Sequence, residues 1–185
     1  MNARQLILER RSVRSYTDQP VPSEMIEEIL EAAIYAPNHK LREPWRFVLA
    51  IGEGQVRYVE QLMELLEARG QFDQKTDEQR LSFKEKISEV PVFLTVLYHV
   101  QGTDDQQTED LLATAAMIQN IQLLASELGL GSCWKSGKHW FTDEYATLVG
   151  AHDEERVAGV IQLGWPAMIP PLKKRTPARE KLTHF

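Results

Sequence analysis

The sequence predicts one globular domain that mixes helices with strands, and three observations carry that expectation. The chain has 185 residues, the size of one ordinary domain. Its composition, 43% hydrophobic and 26% charged, supplies enough apolar material for a core that needs no disulfide or metal. Stretches with the apolar period of a helix alternate with short apolar runs of strand type. No repeat, low-complexity tract or long linker divides the sequence, so residues 1–185 are read as a single domain.

Ala3 to Arg10 reads as a short helix with Leu6 and Ile7 on one face. Pro20 and Pro22 fix an extended linker, and Ser23 is the expected N-cap of a helix striped by Ile26, Ile29, Leu30 and Ala33. Pro37 ends that helix, because proline pushes the residue before it out of helical space. After the polar stretch Asn38 to Pro44, Trp45 to Ile51 has strand composition. A further helix is expected from about Gln55 to Arg69, with Val59, Leu62, Met63 and Leu66 inward and Gly70 just past its end. Gln71 to Gln79 is polar and expected to be mobile, and Arg80 to Ser88 is expected to be helical. Val92 to Tyr98, a continuous apolar run, suits a strand covered on both faces.

Gln101 to Gln107 is expected to be a solvated loop. Glu109 to Leu128 carries apolar residues on nearly every side, the mark of a buried helix. Gln119, Asn120, Gln122, Ser126 and Glu127 interrupt it, which argues against a membrane span. In so small a domain, burying every face of that helix calls for a second subunit. Gly129 and Gly131 then punctuate the chain, Ser132 to Trp134 and Val157 to Leu163 read as strands, and Gly164 opens an extended tail to Phe185.

Several function classes fall away. With 21 basic against 27 acidic residues and a net charge of −6, the chain is not expected to bind nucleic acid or anionic membrane. A lone cysteine, Cys133, excludes a disulfide scaffold and reads as a packed thiol. Met1 leads into no apolar signal segment, so the expected location is the cytoplasm. The five histidines show no paired metal-ligand spacing, and no metal is expected. Gly129-Leu130-Gly131 lacks the last glycine of a dinucleotide turn, and neither a phosphate-binding P-loop nor a Gly-x-Ser-x-Gly elbow is present. With the usual catalytic constellations missing, an enzyme of this sequence would rely on a cofactor.

Four segments remain. Arg10, Arg11, Ser12 and Arg14 place three guanidinium groups and a hydroxyl within five residues, the groups that match phosphate oxygens. Asn38, His39 and Lys40 lie in a polar loop that leads to Pro44-Trp45-Arg46-Phe47. Trp134-Lys135-Ser136-Gly137 follows the buried helix, and Lys173-Lys174-Arg175-Thr176-Pro177 gathers cations near the end. Taken one at a time, each also fits a plain reading as a solvated helix end, a connection, a turn or a basic tail.

In this order and at this spacing, the set resembles the FMN-dependent nitroreductase family, above all its short bacterial members, and the likeness spans almost the whole chain. The resemblance implies an α+β fold, a mixed, mainly antiparallel sheet flanked by helices, in an intertwined homodimer with FMN at the subunit interface. It implies that Arg10, Arg11, Ser12 and Arg14 hold the phosphate, ribityl chain and pyrimidine edge of FMN, joined at the phosphate by Lys173 and Arg175. Asn38 and His39 would reach the same flavin from the partner subunit, the Trp134-Lys135-Ser136 backbone would face flavin N5, and Lys84 would match a lysine near the pyrimidine. The activity implied is a ping-pong NAD(P)H oxidoreductase, with hydride passing from NADH or NADPH through the flavin to a nitroaromatic, quinone or similar acceptor. A flavin-binding or flavin-processing protein without NAD(P)H turnover needs the same cradle and is the alternative.

Overall fold

Val92–His99 forms the strand on which the fold is built. In the computed structural model, which describes residues 2–137 and 139–185, this strand, β2, is one of four. The others are β1 (Trp45–Ile51), β3 (Gly131–Lys135) and β4 (Glu155–Gly164), in the order β1-β2-β4-β3 with every neighbouring pair antiparallel. An isolated parallel bridge between Ser12 and Ser132 adds a further line of chain beside β3 and makes the sheet mixed. Helices α1 (Ala3–Glu9), α2 (Ser23–Ala33), α3 (Glu53–Ala68), α4 (Asp77–Ser88), α5 (Asp104–Glu127) and α6 (Asp143–Leu148) flank it. The class is α+β.

β2 is buried on both faces, and its side chains sort by the strand period of two. Phe93 and Leu97 join a core with Tyr58, Leu62 and Leu66 of α3 and Tyr145 of α6. Leu94 and Val96 join the opposite core with Ile26 and Ile29 of α2 and Met117, Ile118 and Ile121 of α5. A bulge sets Ala158 between the partners of Val96 and Leu97, and there Gly159 adopts φ +151° beneath the indole of Trp134. A Cβ at Gly159 would occupy the place of that ring, so the bulge and the glycine together seat Trp134.

Five sequence expectations are corrected. Residues 101–107 are not all loop: α5 begins at Asp104, because Thr103 Oγ1 accepts from the Gln106 N–H at 3.3 Å while the Gln106 side chain accepts from the Thr103 N–H at 3.0 Å. This reciprocal capping box satisfies two otherwise unpaired donors. Thr76 and Gln79 start α4 in the same way, earlier than expected. Ser23 is the first helical residue and not the cap, since Pro22 stands at that position. The short helix α6 was not anticipated.

The polar stretch 71–79 is also tied down. Phe72 is buried and meets Phe83 edge-on at 5.5 Å, and the Lys75 ammonium lies over both rings.

Within one chain α5 is buried along a single stripe, Ala113, Met117, Ile118, Ile121 and Ala125. Leu111 and Leu112 on its first turns are 40% and 64% exposed, so part of its apolar surface is uncovered. No helix among the described residues is long and apolar enough to cross a membrane.

Candidate functional site

The residues of the first motif are placed by the sheet. After α1, the Val13 N–H donates to the Ser132 carbonyl at 2.9 Å, and the buried Tyr16 hydroxyl donates to the carbonyls of Val13 (2.8 Å) and Gln162 (3.2 Å). Gly131 lets Val13 lie close, because a Cβ there would come within 2.7 Å of the valine side chain. The same segment holds the tail: Thr17 donates to Trp165, Ala167 donates to Ser15, and Tyr16 bridges Pro166. The two ends of the chain therefore run side by side.

Between them lies a cleft of about 680 Å³, lined by Arg10, Arg11, Ser12, Arg14, Lys173 and Arg175 among others. A second hollow of about 340 Å³ adjoins it at Arg10 and Arg11 and is floored by Gly131 and Ser132. Arg10 is the centre of the cluster. Burial first, and then the positive charges of Arg11 and Arg175, hold its guanidinium below the ordinary arginine value. Its buried Nη1 has no hydrogen-bond partner.

Arg11 is differently engaged, with Nη1 donating to the carbonyls of Leu8 (2.8 Å) and Arg10 (2.9 Å), where its charge meets the negative end of α1. Arg175 Nη1 donates to the Lys173 carbonyl at 3.3 Å. Among the described residues, no carboxylate forms an ion pair with Arg10, Arg11, Arg14, Lys173 or Arg175. A concentration of positive charge that is partly buried, self-repelling and short of an acceptor is suited to an anion. A multiply charged phosphate fits it.

Trp134 and Lys135 lie at the far end of β3, whose head meets Arg10 and whose Lys135 pairs with Val160. From Ser132 to Ser136 an extended chain covers about 13 Å, so Trp134, Lys135 and Ser136 stand beyond the cation cleft and not on its wall. Trp134 is 38% exposed, and its indole N–H donates to the Ala158 carbonyl at 3.3 Å.

Asn38 and His39 are not brought to the arginines of their own chain. His39 Nδ1 lies 3.8 Å from Glu109 Oε2 at the start of α5, whereas Arg10 shares its hollow with Ser126 at the helix's end. The rise of the helix separates those two places by about 25 Å. Lys84 is exposed on α4 and does not line the cleft.

Two half-buried ion pairs escaped the sequence reading. Arg42 donates from Nε and Nη2 to Asp110 at 2.9 and 2.6 Å, and Arg46 grips Glu155 in the same two-pronged manner at 2.7 Å for both bonds. Both carboxylates are only 2% exposed. No local pattern marks partners so far apart in sequence. The only available signal is an arginine on either side of the Pro44-Trp45 start of a strand.

Residues 7–165 match the model of the Nitroreductase family. The chain belongs to that family. Among nitroreductase relatives, YfhC of Bacillus subtilis (strain 168), provisionally named a NAD(P)H nitroreductase, is 39% identical over 98% of this chain and 93% of its own length. A nitroreductase-like family protein from Bacillus cereus superposes with a TM-score of 0.86 at 34% identity, covering 100% of this chain and 96% of that one. A provisionally assigned nitroreductase from Desulfovibrio desulfuricans, solved in complex with FMN, gives a TM-score of 0.76 at 26% identity, covering 100% of this chain and 98% of that one.

Proposed function

We propose that this nitroreductase-family chain is an FMN-dependent NAD(P)H oxidoreductase that works as a homodimer. The observation that carries the reading is the orphaned, self-repelling cluster around Arg10. A dianionic phosphate relieves that repulsion and offers acceptor oxygens to Arg10, Ser12, Lys173 and Arg175. Inorganic phosphate alone leaves the rest of the cleft without a purpose, since Ile7, Leu8 and Met168 line it with exposed apolar surface. FMN joins a phosphate to an apolar ring system, and the FMN complex of the Desulfovibrio relative supports the same choice.

A bound flavin would supply the redox chemistry of a ping-pong reductase, with NADH or NADPH as hydride donor and a nitroaromatic, quinone or similar molecule as acceptor. The protein's part is to bind, orient and set the field. Arg10, Ser12, Lys173 and Arg175 hold the phosphate, with Arg11 bracing the end of α1 beside them. Arg14, which lines the same cleft, would supply positive charge to the pyrimidine edge of a bound flavin, where negative charge collects on reduction. Trp134 and Lys135, farther along β3, and Ser136 just past it, would meet the ring of a flavin whose phosphate was held at Arg10.

His39, on the turn that Asn38 closes, is assigned to the partner's site, since about 25 Å of helix separates it from Arg10 of its own chain. The uncovered Leu111 and Leu112 of α5 supply apolar surface for the association. The cytoplasm is the compartment in which this chemistry and an unpaired thiol belong.

The test is the visible spectrum of the purified protein followed by turnover. The expected protein is yellow, releases FMN on heating, and oxidises NADH or NADPH steadily when a nitroaromatic or quinone is supplied. Colourless protein that takes up no added FMN removes the reading. Yellow protein that oxidises neither nucleotide leaves the flavin-binding alternative.

A further inference from the structure

The turn that follows α2 is strained. Lys40, Leu41 and Glu43 adopt φ of 54°, 52° and 45°, the left-handed region that side chains other than glycine seldom enter. A connection from a helix to a strand has many relaxed solutions, so a strained one persists only where its surroundings over-determine it. Here the surroundings are explicit. Asn38 closes the turn from within, its Nδ2 donating to the Ala36 carbonyl at 3.2 Å and its Oδ1 accepting from the Glu43 N–H at 3.0 Å. Arg42 closes it from outside, through the fork to Asp110.

The fork fixes orientation as well as distance, because both prongs must be met at once. Its anchor is a buried carboxylate on α5, the longest helix of the fold. Of the residues so confined, His39 is exposed and stands beside Glu109. The Asn38 amide is committed to the turn itself.

We infer that Arg42 is a positioning residue: with Asp110 it holds the strained turn 39–43 so that His39 is presented, already oriented, to the flavin site of the partner subunit. The inference rests on the reading above that His39 serves that site. It adds that neither Arg42 nor Asp110 touches the flavin and that their effect on it passes through His39.

The experiment is a double-mutant cycle on FMN affinity, read by flavin fluorescence on the dimer, with the melting temperature of the flavin-free protein measured alongside. Removing Arg42 outright strands a buried carboxylate, so the variant of choice is Arg42→Lys, which keeps the charge and loses the fork. Asp110→Asn, which keeps the shape, is the second. His39→Ala is expected to weaken FMN by about tenfold, and Arg42→Lys by a similar factor, with the melting temperature nearly unchanged. The double variant is expected to bind no more weakly than His39→Ala, because a residue that acts through another has nothing left to act on.

Losses that multiply in the double variant, or an Arg42→Lys and an Asp110→Asn with undiminished affinity beside a weakened His39→Ala, overturn the inference and leave the His39 reading standing. If His39→Ala itself stays within about twofold of the parent, that reading fails and takes the inference with it.

Discussion

Arg10 and Arg175 enter one cleft from opposite ends of the chain, and the charge of Arg175 makes that of Arg10 harder to hold. No acidic side chain among the described residues pairs with either. The pair is unfavourable by itself and becomes favourable around an anion.

Arg175→Ala and Arg10→Ala are therefore expected to weaken FMN while changing riboflavin little, since riboflavin has no phosphate. A hydrogen bond to a charged group contributes about 1.5–3 kcal/mol, which is roughly a ten- to hundredfold loss. Flavin-fluorescence titration of both ligands against both variants makes the comparison. Equal losses for FMN and riboflavin would show that these arginines do not read the phosphate.

Leu112 provides the test of association. It is 64% exposed on α5, whereas Ile121 on the same helix is fully buried in the core of its own chain. Aspartate at Ile121 would unfold the protein, but Leu112→Asp is expected to leave the fold intact, shift the sedimenting species to monomer and release the flavin. A yellow dimer carrying Leu112→Asp would take this face out of the interface.

Glu155 sets an acid limit. The Arg46 fork first, with help from the His152 N–H, holds its carboxyl down at about 2 against burial, which pushes it up. Because the folded value is depressed, the unfolded chain takes the proton more readily. The stabilisation is thus complete above the ordinary value of 4.5 and is lost as pH falls toward 2. Glu155→Gln is expected to lower stability at neutral pH and to flatten the loss in that window. Urea unfolding at a series of pH values measures both effects.

Tyr145 anchors a buried hydroxyl chain, with Tyr58 at 2.7 Å and Thr95 at 2.8 Å, and burial pushes its own pKa up to about 12. Tyr145→Phe leaves both neighbours without that partner. The expected cost is about 1–3 kcal/mol for each group stranded. Chemical denaturation reads this cost, and FMN affinity should hold, because the chain lies on the sheet face away from α5.

What could be read from sequence was local or repeated. The stripes of α2 and α3 and the doubly covered β2 follow from periodicity, and Arg10 to Arg14 and Lys173 to Arg175 follow from charge crowded into a few residues. The first turn of α5 was hidden because Thr103 and Gln106 were read as polar loop, although their spacing is that of a capping box. Arg42 with Asp110 and Arg46 with Glu155 left little trace, since the first pairing depends on how a turn meets α5 and the second on how β1 lies near β4. A role for His39 at a flavin was suggested only by family resemblance, and its own chain carries it away from the arginines.

The bridge from Tyr16 to Pro166 and the hydrogen bond from Ala167 to Ser15 bear on the order of events during synthesis. Translation delivers Arg10 well before Arg175. Chains fold as they emerge, amino-terminal parts first, yet this cation cleft lacks one wall until Arg175 has been made. A nascent chain stalled before residue 165 is therefore expected to hold an anion more weakly than the released chain.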